Sequence, residues 1–564
     1  MRSPSGPPGL LGLLERAAAG NTCRFVRYTP SAGTRTTLPV RELDQRSSAV
    51  GHALRTTLSR KARGPQEPYV LLAVRDPLEF VTAFFAVVKA GLIPVPGPAL
   101  PHVHQGHAQR LRGIVAASRP RAVLTDQPEV AAHPGLLPEP CPLLLVDELQ
   151  EPRDTDPPPA EQTDVAYVQY TSGSLGNPGP VALRGSNVIA QLRQAAEAFG
   201  ETRRSVSVGW VPLSHDMGLV TGVLRPLWSG YTSVLLDPFD FVRDPGLWPR
   251  AMSEWKATLT SAPDFGYALC ARKTGDVRAY DLSSLTVARS AGEPVRPATL
   301  RAFTAKFGPA GFDHKAFTPS YGLAEATLTV TAARPGEAPH VVSFCARGLC
   351  AGRAEPAARD AESQELASCG TPLRDTRVEI LDPESGTPLA PGLVGEIWIS
   401  GPQVAPRGHT VGADPGHRTG DMGFLHEGEL FALGRAKERF QVAGENYYSG
   451  EIEAVAVAAD ERLRPGRAAV FLAGGDGQAA PRPVVVAECR TGVEEDLDDA
   501  AGAALARAVM ARIGRETGLA VTRVWLVAAG ALPVTTSGKM RRERCRDLFE
   551  DGSLKALHRY GKGE

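Results

Sequence analysis

Short apolar runs that alternate with longer amphipathic stretches dominate the first part of the chain. Residues 71–74 and 92–95 are apolar runs of strand length, and residues 80–90 between them have the length and spacing of a helix. Further strand candidates follow at 122–125 and 143–146. A strand, a helix and a second strand in this order favour a parallel sheet. The pattern therefore predicts an α/β fold with mainly parallel sheets layered with helices.

A second module is predicted to begin at residue 435. Beyond it, residues 451–453 begin a new series of candidate elements. Apolar runs separated by helical stretches follow at 468–472, 483–487 and 521–527. This mixture predicts a small α+β domain of roughly 130 residues, an ordinary size for one domain. We therefore expect a large N-terminal domain over residues 1–434 and a small C-terminal domain over residues 435–564.

Composition and charge describe an ordinary globular protein. Of the 564 residues, 43% are hydrophobic and 22% are charged. Lys plus Arg and Asp plus Glu both total 62, so the net charge does not direct the chain to nucleic acid or to a membrane. The 8 cysteines are scattered and predict neither a disulfide framework nor a zinc site.

Targeting and membrane signals are weak in this sequence. Residues 1–9 have no basic patch leading into a long apolar run, which argues against a secretory signal. The longest uncharged window, residues 90–109, is interrupted by prolines and histidines and is unsuited to a membrane span. We expect a cytoplasmic protein.

A loop near residue 175 carries the first sign of chemistry. The apolar run 167–170 leads into Thr171-Ser172-Gly173-Ser174-Leu175-Gly176, which is rich in hydroxyl groups and glycine. Glycines let the backbone approach an anion closely, and hydroxyl groups add neutral donors. The loop is suited to a polyphosphate, although a solvated turn after a buried strand explains such a loop equally well when it stands alone.

Further segments follow the loop in a fixed order. They are WVPLSHDMG at 210–218, SYGLAEAT at 320–327, HRTGDMG at 417–423, Gly434-Arg435, and TSGK at 536–539. Together with the loop they resemble the acyl-adenylating superfamily of acyl-CoA synthetases, luciferases and peptide-synthetase adenylation domains. The resemblance extends over nearly the whole chain.

Within that superfamily the chain more closely resembles the fatty acyl-AMP ligases. The similar segments are HDMG at 215–218, YGLAEATL at 321–328, GENYY at 444–448 and a characteristic insertion over 335–370. The resemblance implies ATP-dependent conversion of a medium- or long-chain carboxylic acid to acyl-AMP, with release of pyrophosphate. It also implies transfer of the acyl group to the phosphopantetheine thiol of a separate acyl carrier protein, with the insertion disfavouring CoA.

The resemblance also assigns the nucleotide site. Thr171, Ser172, Gly173 and Ser174 are expected to hold the phosphates. Ser290, Gly292, Glu293, Tyr321 and Gly322 are expected to bind the base, with Tyr321 stacking on adenine. Glu325 is expected to place Mg²⁺ against phosphate oxygens, whereas outside this context a solvated carboxylate at a helix N-terminus is the simpler interpretation. Asp421 is expected to accept the ribose hydroxyls, with Arg435 as the accompanying cation.

Two residues are predicted to be catalytic. By resemblance Lys539 is the mobile lysine that bridges the carboxylate and the α-phosphate, carried by a C-terminal domain that swings about a hinge near Lys437. The plain alternative is a solvated basic tail. His215 is expected to orient the substrate carboxylate or to gate the acyl tunnel, and its alternative is a structural histidine.

Departures from the family pattern keep other functions open. The phosphate loop has Leu175 where a hydroxyl residue is common, and it lacks the usual lysine. This leaves room for a non-catalytic nucleotide-binding scaffold. Asp264 lies where the family lines its acyl pocket, which hints at an amino or aryl acid, although we expect it to face solvent or backbone donors. An acyl-CoA ligase is the remaining alternative.

Overall fold

The computed structural model describes residues 9–29, 36–61, 68–99, 105–128, 141–149, 163–171, 179–358, 362–406, 416–442, 445–474, 481–493, 497–534 and 540–561. The chain forms two compact units. The first comprises Met1–His340, Cys369–Arg377 and Ile399–His417, and the second comprises Val341–Ser368, Val378–Trp398 and Arg418–Glu564. The division into domains at residue 435 and the mobility of the C-terminal domain stay predictions.

The strands are numbered in chain order. They are β1 (Arg24–Tyr28), β2 (Thr36–Pro39), β3 (Tyr69–Ala73), β4 (Ile93–Pro96), β5 (Ala122–Thr125), β6 (Leu143–Leu145), β7 (Val165–Thr171), β8 (Gly179–Arg184), β9 (Val206–Gly209), β10 (Thr232–Leu236), β11 (Leu259–Ala262), β12 (Val287–Ser290), β13 (Ser320–Gly322), β14 (Thr329–Ala332), β15 (Val341–Cys345), β16 (Ser363–Ala367), β17 (Thr371–Pro372), β18 (Arg377–Leu381), β19 (Gly395–Ser400), β20 (His417–His426), β21 (Glu429–Arg435), β22 (Arg439–Val442), β23 (Glu445–Tyr448), β24 (Leu463–Ala473), β25 (Arg482–Cys489), β26 (Arg523–Val527) and β27 (Ala556–Tyr560).

The α-helices are numbered in the same way. They are α1 (Leu10–Gly20), α2 (Val40–Lys61), α3 (Pro77–Lys89), α4 (Gln105–Ser118), α5 (Gly185–Ala198), α6 (Asp216–Leu219), α7 (Arg225–Ser229), α8 (Pro238–Arg243), α9 (Leu247–Glu254), α10 (Asp264–Lys273), α11 (Pro297–Phe307), α12 (Ala346–Cys350), α13 (Ser449–Val457), α14 (Asp499–Thr517) and α15 (Arg542–Glu550). Val220–Leu224 forms a π-helical turn, and Ala324–Ala326 and Ala436–Glu438 are short 3₁₀-helices.

Two largely parallel sheets organise the first unit. One has the order β12-β11-β9-β10-β1-β2, in which all pairs are parallel except β1 with β2. The other has the order β4-β3-β5-β6 and is parallel throughout. Helices lie between most successive strands of these sheets, so the α/β class predicted from the apolar runs is confirmed.

Helix α3 shows how the sequence determines one of these crossovers. Its N-cap is Asp76, whose carboxylate accepts the backbone N–H groups of Leu78 at 2.8 Å and Glu79 at 3.2 Å. Pro77 occupies the first turn, where its missing N–H costs nothing. The helix then buries a run that includes Phe84 in the core of the first unit.

The second unit has a mixed architecture. Strands β24, β25, β26 and β27 form one sheet in that order, with β25 and β26 parallel and the outer pairs antiparallel. Strands β18 to β21 form a second sheet, and β15 and β16 form an antiparallel pair. The apolar faces of α13 and α14 cover β24, β25 and β26 in one buried cluster. In the described parts of both units, no helix has the length and apolar character needed to cross a membrane.

Candidate active site

Three of the segments singled out in the sequence follow neighbouring parallel strands. Residues 210–218 come after β9, residues 263–267 after β11 and residues 291–294 after β12. Strand β11 is parallel to both β9 and β12, so all three segments leave the sheet at the same edge. The carboxyl edge of such a sheet is where α/β proteins bind ligands.

The strand that leads to the predicted phosphate loop is tied to this edge. Thr171 ends β7 and pairs with Gly179 of β8, so the loop connects two antiparallel strands. The side-chain amide of Gln169 on β7 donates to the carbonyl oxygen of Ser214 at 2.9 Å. Ser172, Gly173 and Ser174 lie outside the described residues, as does the side chain of Thr171, and their phosphate-binding role stays a prediction.

His215 is the N-cap of helix α6 and is held by its neighbours. Its Nδ1 atom lies 2.5 Å from Oδ1 of Asp216. The chain turns tightly around His215, because a Cβ on Gly218, three residues later, would lie 2.1 Å from the carbonyl oxygen of Pro212, three residues earlier. About a third of the His215 side chain is exposed. The backbone N–H of Met217 also donates to Nδ1 at 3.3 Å. The ring is thus held on its Nδ1 side while part of it stays accessible, which suits a residue that orients a substrate.

The segment after β12 lies next to the His215 turn. Gly292 has a φ of +84°, and a Cβ there would lie 3.2 Å from the methyl group of Met217. The carboxylate of Glu293 accepts the backbone N–H of Phe265 at 2.5 Å. The Ser290 hydroxyl is fully buried and has no hydrogen-bond partner in the described part of the chain. An orphaned buried hydroxyl fits a site that a polar ligand completes.

Tyr321 and Gly322 lie on β13, which begins beside β12. The two regions are joined because the backbone N–H of Thr318 donates to the carbonyl oxygen of Ala288 at 3.0 Å. The Tyr321 ring is largely buried. Gly322 cannot carry a side chain, because a Cβ there would lie 1.7 Å from the carbonyl oxygen of Leu328. The close approach of the backbone therefore requires glycine at this position, independently of any bound ligand.

Glu325 lies in the 3₁₀-helix directly after this strand. Its side chain is partly exposed, and its carbonyl oxygen accepts the backbone N–H of Ala405 at 2.7 Å. Thr327, two residues on, has a φ of +63°, and its hydroxyl donates to the carbonyl oxygen of Gln403 at 2.9 Å. A non-glycine residue in this conformation is costly unless its surroundings hold it. The turn that presents Glu325 is thus held by contacts on both sides.

Asp264 is fully buried, so the expectation that it faces solvent is wrong and the expectation of backbone donors is confirmed. Its carboxylate accepts the backbone N–H of Arg296 at 3.0 Å and the hydroxyl of Thr299 at 2.7 Å. The Arg296 guanidinium lies 3.7 Å away. Burial raises the pKa of Asp264 to about 6 in spite of these partners. The carboxylate thus holds the start of α11 and is occupied there.

Exchanging Asp264 for asparagine is expected to change the pH dependence of stability. Because the folded protein holds the Asp264 proton more tightly than the unfolded chain, this group favours folding below about pH 4 and loses that contribution as the pH rises to about 6. A shift from 3.8 to about 6 corresponds to about 3 kcal/mol. The parent protein should lose this contribution as the pH rises from 4.5 to 7.5, whereas Asp264→Asn has no such group to lose it. The free energy of unfolding of the variant, measured with urea, should therefore rise relative to that of the parent over this pH range. A difference that does not vary with pH would contradict the prediction.

Asp421 and Arg435 belong to the second unit, where they face each other on β20 and β21. Nε of Arg435 lies 2.8 Å from Oδ1 of Asp421. The backbone N–H of Asp421 donates to the Thr419 hydroxyl at 3.1 Å, and that hydroxyl donates to the carbonyl oxygen of Ile397 at 2.8 Å. The pairing of the predicted ribose residues is therefore a local feature of one hairpin. Their role toward ribose stays a prediction.

Lys539 lies outside the described residues, but the chain on either side of it is anchored. Val534 and Met540 form an antiparallel bridge, and the backbone N–H of Arg541 donates to the carbonyl oxygen of Pro533 at 3.0 Å. The residues that flank the segment 535–539 are therefore part of the folded second unit.

Arg289 was not singled out in the sequence, and Arg542 was considered there only as part of a solvated basic tail with Arg541 and Arg544, which is wrong for Arg542 because its side chain is largely buried. Arg542 binds Glu453 through two hydrogen bonds of 2.6 and 2.7 Å and lies 2.7 Å from Glu438. Arg289 is fully buried on β12. Its one signal in the sequence is a charged residue inside a strand that is buried along its whole length. No pattern in the sequence indicated the ion pairs of Arg542, because Glu438 and Glu453 are distant from it in the chain.

Known proteins resemble this chain over most of its length. The family model described as AMP-binding enzyme matches residues 14–407. A 4-hydroxyphenylalkanoate adenylyltransferase of Mycobacterium marinum is 34% identical, over 98% of this chain and 92% of that protein. The medium-chain-fatty-acid–[acyl-carrier-protein] ligase JamA of Moorena producens is 32% identical, over 92% of this chain and 90% of that protein.

Solved structures agree with these relatives. A structure from a study of fatty acyl-adenylate ligases from E. coli and L. pneumophila has a TM-score of 0.85 and 29% identity, over 98% of this chain and 99% of that one. The chain belongs to the AMP-binding enzyme family. Within it the protein is an acyl-adenylate-forming ligase of the fatty acyl-AMP ligase branch, and its reaction uses ATP.

Proposed function

We propose that the protein activates a medium- or long-chain carboxylic acid as acyl-AMP and passes the acyl group to the phosphopantetheine thiol of a separate acyl carrier protein, in lipid, polyketide or lipopeptide biosynthesis. The observation that carries the proposal is the convergence of the β9, β11 and β12 segments at one sheet edge. The relatives that act on fatty acids and on a carrier protein support the same conclusion.

In the first half-reaction an oxygen of the substrate carboxylate attacks the α-phosphorus of ATP, and the bond from that phosphorus to pyrophosphate breaks. Both reactants are anions, so the protein has to position them and supply positive charge. His215, held by Asp216, is the group proposed to orient the carboxylate. Lys539 is the cation proposed to bridge the carboxylate and the α-phosphate.

The nucleotide-binding roles follow from the resemblance of each segment to its counterpart in the family. Ser290, Gly292, Glu293, Tyr321 and Gly322 are proposed to line the base, Thr171 to Ser174 to hold the phosphates, and Asp421 with Arg435 to bind the ribose. Mg²⁺ would offset charge on the phosphate oxygens. Glu325 fits this ion, because Mg²⁺ is commonly held by one or two carboxylates together with substrate phosphates. In the described residues no cluster of three or more metal-binding side chains offers an alternative site.

In the second half-reaction the thiol sulfur attacks the acyl carbonyl, the bond from that carbon to AMP breaks, and the thiol proton is released. The proposed preference for a carrier protein over CoA rests on the insertion. Within the second unit its helix α12 contacts β23, where the Asn446 side chain donates to the carbonyl oxygen of Cys350 at 3.1 Å. The insertion is thus anchored to β23, which follows the predicted hinge near Lys437 in the chain.

Mass spectrometry of the reaction products tests the proposal. The protein is incubated with ATP, Mg²⁺ and a panel of fatty, aryl and amino acids, with CoA, with a holo carrier protein, or with neither. Acyl-AMP that accumulates, ignores CoA and disappears with the carrier protein is the expected result. Acyl-CoA would instead assign the protein to the CoA ligases, and the absence of an adenylate from every acid would identify a non-catalytic scaffold.

An arylalkanoic acid is a second candidate substrate, favoured by the mycobacterial relative named for 4-hydroxyphenylalkanoate. An amino acid is less well supported, because Asp264 is buried against Arg296 and Thr299 and is not available to a substrate amine. The same panel of acids separates these classes.

A further inference from the structure

Gln169 is a buried amide that joins two parts of the candidate active site. It lies on β7, two residues before Thr171, and 3% of its surface is exposed. Its side-chain N–H donates to the carbonyl oxygen of Ser214 at 2.9 Å. Because Ser214 directly precedes His215, this hydrogen bond connects the strand that leads to the predicted phosphate loop with the turn that presents His215.

The strand that carries Gln169 is packed on both of its faces. Successive side chains of a strand point to opposite sides, so Tyr167 and Gln169 share one face, and Val168 and Tyr170 share the other. Tyr167 belongs to a buried cluster that also contains Met217 of the His215 segment. Val168 and Tyr170 belong to a second buried cluster, with residues of β3, β4 and β5. A strand held in this way is a rigid support for the turn.

The hydrogen bonds within the turn determine its shape but not its place. The backbone N–H of His215 donates to the carbonyl oxygen of Pro212 at 2.9 Å, and that of Leu219 donates to the carbonyl oxygen of His215 at 2.9 Å. The apolar packing of Met217 holds the segment against the core, but hydrophobic contact has no preferred direction. The hydrogen bond from Gln169 is directional and comes from another element, so it orients the turn relative to β7.

The position requires the donor of an amide. A carbonyl oxygen can only accept, so its partner has to donate, and an ionised carboxylate of the same shape as Gln169 could not. Oε1 of Gln169 has no hydrogen-bond partner among the described residues, so the burial of this amide is only half compensated. An apolar side chain of similar shape would therefore affect the stability of the fold little. It would lose the directed contact with Ser214.

We propose that Gln169 is a positioning residue for adenylation, and that its amide holds His215 in the orientation that brings the acid carboxylate in line with the α-phosphorus of ATP. The inference rests on the proposed function and adds a residue that acts through Ser214 and His215. A displacement of about 1 Å in such a reaction can lower the rate by about 10²-fold. The loss should therefore appear in kcat.

Two matched glutamine substitutions test the role of the amide. ATP–pyrophosphate exchange is measured with the acid that the parent protein adenylates fastest. Gln169→Met should lower kcat by about tenfold or more and keep the parental KM for ATP. Gln194→Met is the control and should keep the parental kcat. Gln194 is 1% exposed, its amide donates to the carbonyl oxygen of Arg374 at 2.5 Å, and its Oε1 likewise has no partner among the described residues.

Gln169→Glu distinguishes the hydrogen bond from packing. A protonated carboxyl group can donate to Ser214 as the amide does, and burial raises the pKa of a carboxyl group. The kcat of this variant, divided by that of the parent at the same pH, should rise as the pH falls from about 8 to about 6, whereas the ratio for Gln169→Met should stay low. The neighbouring titratable groups, His215, Asp216 and Tyr167, are the same in all three proteins. A change with pH within one preparation does not depend on its folded fraction.

Each result separates the inference from the proposed function. Parental kcat in Gln169→Met, an equal loss in Gln194→Met, or a Gln169→Glu ratio that does not change with pH would overturn the role of Gln169. A raised KM for ATP with unchanged kcat would also overturn it. In all of these cases the parent protein still forms acyl-AMP and the proposed function stands. If the parent adenylates no acid, the proposed function itself fails.

Discussion

Replacing Lys539 with alanine is expected to lower the rate of adenylation by about 10²–10³-fold, which corresponds to about 2.7–4 kcal/mol of transition-state stabilisation. The reason is electrostatic. The reaction joins a carboxylate to a phosphate, and a positioned cation is worth most where two anions meet with little water. ATP–pyrophosphate exchange with a saturating acid measures the effect.

Lys555→Ala is the matched control, because Lys555 is an exposed lysine in the same unit. It should keep the parental rate. Lys539→Ala should keep the parental fold and ATP affinity, measured by circular dichroism and nucleotide binding, because the lost interaction belongs to the transition state. Near-full turnover of Lys539→Ala would remove this lysine from the mechanism.

Local patterns were enough to predict several of the elements described above. The apolar runs at 122–125 and 143–146 correspond to β5 and β6, and the run at 483–487 lies within β25. Each of these predictions needs only the identity of adjacent residues. The order of the motifs then indicated the family, because spacing along the chain survives where individual residues change.

The contacts that hold the site could not be predicted in this way. Asp264 holds Arg296 and Thr299, which lie on another helix, so its burial depends on how α10 and α11 pack. The partial pairing of Arg289 depends on Arg225 having taken Glu201. Such facts arise from the packing of distant segments, and neither periodicity nor a motif encodes them.

Arg542→Ala is expected to destabilise the second unit by about 3 kcal/mol. Removing one member of a buried ion pair strands its partner, which typically costs about 3–5 kcal/mol. Here the stranded partner is Glu453, which also accepts the backbone N–H of Val470 at 3.1 Å. The side chains of Arg542 and Glu453 are 19% and 11% exposed, so the lower end of the range applies.

The cluster of Arg542, Glu453 and Glu438 also joins parts of the unit that act together in the proposed mechanism. Glu438 lies in the 3₁₀-helix at the predicted hinge, and Arg542 follows Lys539 by three residues. Loss of Arg542 should therefore increase local unfolding both of the 3₁₀-helix at the predicted hinge and of the described residues that follow Lys539. Hydrogen exchange should rise in peptides that cover α13, β24 and α15, and the adenylation rate should fall with it.

The exposed Arg544 on the same helix supplies the control. Arg544→Ala should change unfolding by no more than about 0.5 kcal/mol, because an exposed arginine without a buried partner contributes little. Arg542→Lys should be intermediate, since lysine keeps the charge but cannot form the paired hydrogen bonds that the guanidinium makes to Glu453. Equal exchange in Arg542→Ala and Arg544→Ala would show that the ion-pair cluster does not stabilise the unit.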